Sequence, residues 1–331
     1  MPSPAPRSTP RAAANAADDD DARVVKRPRS TLTLSPDTSF KIRFEQLASI
    51  KSLVDVVGSV LSRVYIQLKG CKREPGSVVL TIDTIDPRHV CMVQGRLVCT
   101  GAVAAEDAGA GDAGEIAFCV DTGTLSKCLS NVSPHLSVEL VGRRGVADIT
   151  LRSYDAMTNV DDLSFTLHTF EEESESTPLQ DIDYEYVHEI ELSALKRIIK
   201  LAGSLKCDNL RLAMHVVDES ADSASLRSIT EISGCGEAIF SRQMTSSVTQ
   251  EGDDALRSDD QVLTAELLAG ATLKYAASFS YEYLSRFVKS MEHQNVQLKF
   301  GEEKPLLVHY PLGVPDSFVR FVLAPKSDDD A

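Results

Sequence analysis

The sequence predicts an α+β fold in which antiparallel sheets carry helices on one face, and three observations predict it. Alternating apolar and polar residues, the mark of half-buried strands, recur along most of the 331 residues. Helical spacing of apolar residues is confined to four segments. The order strand, helix, strands, helix, strands occurs twice, which points to an internal duplication into two similar units of antiparallel sheet with two helices each.

Residues 1–38 are rich in Pro, Ala, Ser and Asp, including the run Asp18–Asp21, and read as a disordered tail. Its basic cluster, Arg23 with Lys26, Arg27 and Arg29, suits a nuclear localisation signal or a nucleic-acid contact as well as it suits a plain solvated tail. Order begins near Phe40. The segment FKIRF alternates, and residues 46–63 follow a helical pattern through Leu47, Ile50, Leu53, Val54, Val57, Val60 and Leu61. Strand-like runs SVVLTID, HVCMVQGRLVC and EIAFCV lead to a short helix over 121–132, then to LSVELV, ADITLRSY and LSFTLHTF.

The acidic, proline-containing stretch after Phe170 reads as a connector. The first domain therefore spans 39–169, the connector 170–186 and the second domain 187–326, with an acidic tail at 327–331. In the second domain VHEIEL precedes a helix over 193–205. Strands, a polar loop near 249–260 and the strand QVLTAELL follow, then a helix over 279–292 and the strands NVQLKF, PLLVHY and FVRFVLAP. The duplication is visible in residues as well as in order: Leu125-Ser126-Lys127-Cys128-Leu129 and its strand lie 159–160 positions before Leu284-Ser285-Arg286-Phe287-Val288 and its strand.

Without tryptophan and with few aromatics, the core must be built mainly from Val, Leu, Ile and Ala. No apolar run approaches the roughly 18 residues that span a bilayer, and the N-terminus lacks the apolar segment of a secretory signal. Seven scattered cysteines with no CxxC pair suggest reduced thiols in an intracellular protein, several acting as small core residues.

The net charge of −15 argues by itself against a nucleic-acid binder, so the placement of the basic residues decides. At about 100° per residue, Leu195, Ile198, Ile199, Ala202 and Leu205 of the third helix share one arc, and Lys196, Arg197 and Lys200 occupy the opposite one. Lys127 points away from the apolar face of the second helix, and Arg286 with Lys289 lies off that of the fourth. On the first helix Lys51 and Arg63 are polar-side, as is Asp55. A charged outer face on one helix is ordinarily only solvated. Four helices agreeing in a strongly acidic chain would form one positive wall if they pack side by side, able to hold phosphates without reading sequence.

Catalytic and cofactor motifs find no support. Gly109-Ala-Gly111-Asp-Ala-Gly114 fits GxGxxG, but a strand follows it where a dinucleotide site needs a helix, so it reads as a flexible hairpin loop. The histidines show no metalloprotease spacing, no Cys/His cluster suits zinc, and no nucleophile has a recognisable context; no cofactor and no metal are expected. Acid pairs such as Asp181 and Asp183 lie in the connector, where charge is usually solvated.

Three C-terminal blocks, Phe279–Lys289, Pro305–Tyr310 and Leu323-Ala324-Pro325-Lys326 before an acidic tail, resemble in order and spacing the end of the proliferating cell nuclear antigen family of DNA sliding clamps. Ile85-Asp86-Pro87-Arg88-His89-Val90-Cys91-Met92-Val93 is similar to that family's segment under the partner pocket, and Ser233-Gly234-Cys235-Gly236 to a turn of its second domain. The resemblance covers about 39–326. It implies a non-enzymatic, closed homotrimeric ring in the nucleus (or at a viral replication site) that encircles double-stranded DNA non-specifically, is placed by a clamp loader, and tethers DNA polymerase and other clamp-binding-motif proteins. It matches Lys127, Arg197, Lys200 and Lys289 to DNA-facing positions, alongside Lys51, Lys196 and Arg286 from the helical arcs. For the partner peptide it implies Ile85, His89, Val90, Met92, Leu179, Ile182, Pro305, Val322, Leu323, Ala324 and Pro325.

The chain departs from the family in having Val322 where an aromatic is usual, a more acidic connector, longer loops at 101–114 and 249–260, and the extra tail. Three other readings stand beside the clamp. A subunit of a heterotrimeric checkpoint-type clamp is disfavoured by the Leu-Ala-Pro-Lys ending and the basic helices. A monomeric viral processivity factor would differ in solution mass, and an enzyme using the Gly-rich loop would bind nucleotide.

Overall fold

A computed structural model of the chain describes residues 34–44, 46–71, 74–104, 114–158, 160–171, 182–217, 225–249, 271–292 and 295–326. The predicted strand QVLTAELL, the Gly-rich loop through residue 113 and Leu179 lie outside them. The first half runs β1 (Thr38–Phe44), α1 (Leu47–Gly58), β2 (Arg63–Gly70), β3 (Ser77–Ile85), β4 (Cys91–Val103), β5 (Glu115–Asp121), α2 (Thr122–Ser130), β6 (Ser137–Arg143), β7 (Ile149–Tyr154), β8 (Asp161–Leu167) and a two-residue β9 (Thr169–Phe170). The second runs β10 (Tyr186–Glu191), α3 (Leu192–Ser204), β11 (Asn209–Val217), β12 (Ser225–Cys235), β13 (Ile239–Thr249), β14 (Ala271–Ser280), α4 (Tyr281–Ser290), β15 (Asn295–Phe300), β16 (Leu306–Pro311) and β17 (Phe318–Leu323).

The two halves share more than an order of elements. In the first, β1 pairs β6, β6 pairs β7 and β7 pairs β8; in the second, β10, β15, β16 and β17 pair in the same succession. Likewise β5–β2–β3–β4 corresponds to β14–β11–β12–β13. All of these pairs are antiparallel, as the alternating sequence requires. The halves are sewn together where β17 pairs β4, Phe318 opposite Arg96 through Leu323 opposite Cys91.

Alternation decides what each strand buries. On β17, Val319, Phe321 and Leu323 are fully buried, while Phe318, Arg320 and Val322 face outward. The buried face meets helices: the Phe321 ring stacks on Phe287 of α4 at 3.9 Å between centroids. On β4 the helix comes closer still. A Cβ on Gly95 would lie 2.8 Å from Cδ1 of the fully buried Leu53 on α1, so glycine here sets the depth to which that helix settles. Gly236, in the Ser-Gly-Cys-Gly turn, has a comparable reason: its Cβ would stand 2.0 Å from the Leu205 carbonyl oxygen at the end of α3.

The structure shortens the first predicted helix. Backbone turns at Ser59–Leu61 after Gly58 end α1, so Val60 and Leu61 lie beyond it. Arg63, expected on its polar side, opens β2 with its guanidinium 4.1 Å from the Phe170 ring centroid. The strand β2 was missed in the sequence, although its Val64, Ile66 and Leu68 alternate and are buried. All seven cysteines are free, and Cys91, Cys99, Cys119 and Cys207 are buried. Among the described residues no helix is long and apolar enough to cross a membrane.

Candidate functional site

Two features of the surface include positions singled out from sequence: the outer face of the helices, and an apolar row beside the C-terminal strand. The helices pack in the succession α2–α1–α4–α3, so the halves meet through α1 and α4. Each presents its apolar stripe to the sheets; on α3 this is Leu192, Ala194, Leu195, Ile198, Ile199 and Ala202. Asp121 caps α2 by accepting the Thr124 amide at 2.6 Å, and Ser126 of α2 donates to Asp55 of α1 at 2.5 Å.

Solvent meets Lys127, Lys196, Arg197, Lys200 and Lys289 as exposed residues, with Lys51 and Arg286 half-buried. The four helices hold these seven basic residues and two acids, Asp55 and Glu282. Both acids are occupied locally. Glu282 pairs Arg286 one turn on and lies 3.5 Å from Arg88, while Asp55 accepts from Ser126. Lys196 is distinct from the others: its ammonium donates to the Met291 carbonyl at 2.6 Å and ties α3 to the end of α4.

The row is built by strand register. Ile85 on β3, Met92 on β4 and Val322 on β17 stand directly opposite one another and share the face turned away from the helices. Leu306 pairs Leu323, which brings Pro305 beside Ala324, and the Ala324 amide donates to the Val90 carbonyl at 3.0 Å. Ala324 and Pro325 are exposed, whereas Leu323 points into the core on the opposite side of β17 from Val322. Ile182 is half-buried, and the Asp183 carbonyl next to it accepts Lys304 Nζ at 2.6 Å.

The turn between β3 and β4 carries His89 and Val90. His89 is exposed, with φ 57° in the left-handed region. Buried Asp86 organises the turn. Its Oδ1 accepts the amides of Val90 (2.8 Å) and Cys91 (2.6 Å), and its Oδ2 accepts the Arg88 amide (3.1 Å) and the Tyr283 hydroxyl (2.6 Å). Burial alone would push the Asp86 carboxyl up in pKa. The Tyr283 bond and the three amides outweigh it and hold the group below the usual carboxylate range. Burial and the bond to Asp86 push Tyr283 itself up to about 12. Sequence reasoning did not find this contact, which joins α4 to the β3–β4 turn across 197 positions; a tyrosine on an otherwise apolar helix face is its one signal.

Two sheet edges complete the description. Strand β8 ends one sheet and β13 ends the other. Among the described residues no three His, Cys, Asp or Glu side chains converge as a metal site.

No protein-family model and no curated protein matches the sequence. Among solved structures, the crystal structure of proliferating cellular nuclear antigen from Entamoeba histolytica superposes with a TM-score of 0.61. The match is at 17% identity and covers 88% of this chain and 100% of that one. With the paired halves, the helix row and the β4–β17 seam described above, the chain has the sliding-clamp fold of proliferating cell nuclear antigen.

Proposed function

We propose that the chain is one subunit of a homotrimeric DNA sliding clamp, which encircles duplex DNA and tethers a polymerase and other replication and repair factors. The observation that carries this reading is the helix row, with seven basic residues against two acids in a chain of net charge −15. Such a surface attracts phosphates of any sequence, and a closed ring needs no tighter grip in order to slide. The excess of acids over bases lies elsewhere in the chain, so the helices are a concentration of positive charge on a net acidic protein.

Pseudo-symmetry supports the ring. Within the chain β17 pairs β4. Their counterparts in the repeat, β8 and β13, are both sheet edges, so the same pairing between copies joins them head to tail. On this reading residues 39–169 and 187–326 are the two domains joined by the connector 170–186, and Leu179 and Ile182 belong to the partner site with the Ile85–Met92–Val322 row. A partner's apolar motif docks there, and a loader opens the ring at the β8–β13 joint. The protein acts as a scaffold in the nucleus, without chemistry of its own.

The test reverses Lys127, Arg197, Lys200 and Lys289 to Glu. All four are exposed, and the apolar faces are untouched. The parent should scatter light as roughly 108 kDa, three times its 36.0 kDa. The variant should keep that mass and its melting temperature while losing retention on nicked circular DNA and polymerase stimulation. If it loads and stimulates like the parent, the helices do not face DNA.

A further inference from the structure

The face of β1, β6 and β7 turned away from the core carries a second concentration of basic side chains. Glu139, with its side chain 3% exposed, receives Arg43 Nη2 and Arg152 Nη2 at 2.7 Å each and Lys41 Nζ at 3.2 Å. Burial would raise its carboxyl pKa, but the three cations outweigh that and hold it lowered, so it stays ionised. Register builds the group: Arg43, Glu139 and Arg152 form one cross-strand row, Lys41, Val141 and Thr150 the next, and Thr38 stands opposite Arg143.

Beside Glu139 opens a cup of about 550 Å³, lined by Lys41, Arg143, Arg152, Thr38, Thr150 and Ser35, with Asp37 in its wall. Glu139 can balance only one of the four cations Lys41, Arg43, Arg143 and Arg152. Asp37 and the exposed Asp161, 3.8 Å from Arg152 Nη1, offset part of the remainder. Arg143 is exposed and makes no ion pair with a described residue, and the buried Arg152 Nε–H has no acceptor among the described residues. Positive charge and donors therefore remain to be matched on the side opposite the helices.

We propose that this cup binds a phosphate monoester. Three cations on three strands and three hydroxyls, Ser35 and Thr38 bonded to each other at 2.7 Å, converge on one concavity, and the cations alone offer more donors than the two oxygens of a carboxylate can accept. A phosphate monoester presents three peripheral oxygens and nearly two negative charges, and the forked guanidiniums of Arg143 and Arg152 suit it. The site owes nothing to the helix row, so it stands or falls apart from the clamp reading. A small phosphorylated metabolite and a phosphorylated side chain of a partner protein share this chemistry.

The experiment is calorimetry on the full chain carrying the four helix reversals, which removes phosphate binding at the helices. Titrants are inorganic phosphate, a phosphoserine peptide and the same peptide with glutamate in that place. Phosphate should bind, and Arg143→Ala, at a side chain that makes no ion pair with a described residue, should weaken it about tenfold. A phosphopeptide at least about tenfold tighter than inorganic phosphate assigns the cup to a phosphorylated partner; equal affinity assigns it to a small phosphate. The proposal is overturned if phosphate fails to bind by about 10 mM, if Arg143→Ala binds like its parent, or if the glutamate peptide matches the phosphopeptide.

Discussion

Equivalent strands in the two halves meet opposite fates. β4 and β13 hold the same place in the repeat, yet β17 covers β4 over residues 91–96 while β13 ends its sheet. β17 alternates half-buried and buried without a break, whereas β8, its counterpart, is exposed at every position but Phe165 and Leu167. Ile239, the first residue of β13, is 81% exposed. One strand pattern is thus core or surface according to what docks on it, and the bare pair is the pair a second copy would complete.

The seam should be the most costly place to intervene. Phe321→Ala removes the ring stacked on Phe287 and leaves a cavity in a fully buried layer, so urea denaturation should show a loss of about 3–5 kcal/mol. A loss typical of a surface change would mean that the halves are held elsewhere.

Next comes a contact present in one half alone. Thr124 on α2, exposed, corresponds to Tyr283 on α4, whose hydroxyl reaches Asp86. Tyr283→Phe should cost about 1.5–3 kcal/mol at neutral pH. Asp86 is depressed in the folded state, so its stabilisation is present above the unfolded value of about 3.9 and is lost as pH falls through the folded one. The gap between variant and parent should therefore close in acid; a gap constant with pH would assign the loss to packing.

The third prediction contrasts Ile42, opposite Leu140, with His188, opposite Leu298, both fully buried. Burial pushes the His188 imidazole down to about 4. Between about 6.5 and that value the unfolded chain takes up a proton that the folded chain refuses, so stability falls as pH drops through this window. His188→Ile should flatten the decline between pH 7 and pH 5 in thermal melts. His309, also held near 4 by burial and by Arg320 and Lys299, keeps the rest of the slope. An unchanged slope would clear His188 of the effect.

The smallest stability change belongs to the bare edge. Ile239→Lys should change the subunit's unfolding free energy by no more than about 0.5 kcal/mol while lowering the mass seen by light scattering. Intact assembly would remove β13 from the joint.

The strands that surround one another in sequence were legible because alternation is a local signal. Asn295–Phe300 falls where NVQLKF was read, and Phe318–Leu323 inside FVRFVLAP. β2 was lost because its apolar residues follow closely on a helical run, and only the turn after Gly58 separates the two. The basic arcs of α3 and α4 could be read from spacing, but the neighbourhood of α1 and α4 could not, since it rests on contacts between residues more than 200 positions apart. The same holds for the apolar row on the outer face. Ile85 and Met92 are a local hairpin pair, while Val322 joins their row only through the seam.

That seam has a consequence for how the protein is made. Residues 91–96 of β4 find their last partner in residues 318–323, close to the end of the chain. At 5–20 residues per second, a ribosome needs roughly 10 to 45 seconds to cross the interval. Throughout that time the nascent first half shows an unsatisfied strand flanked by apolar side chains, the kind of edge on which neighbouring polypeptides nucleate aggregates. Expression at high ribosome density should therefore depend on chaperones until Leu323 emerges, and a chain truncated before Phe318 should be insoluble even though its first half is complete.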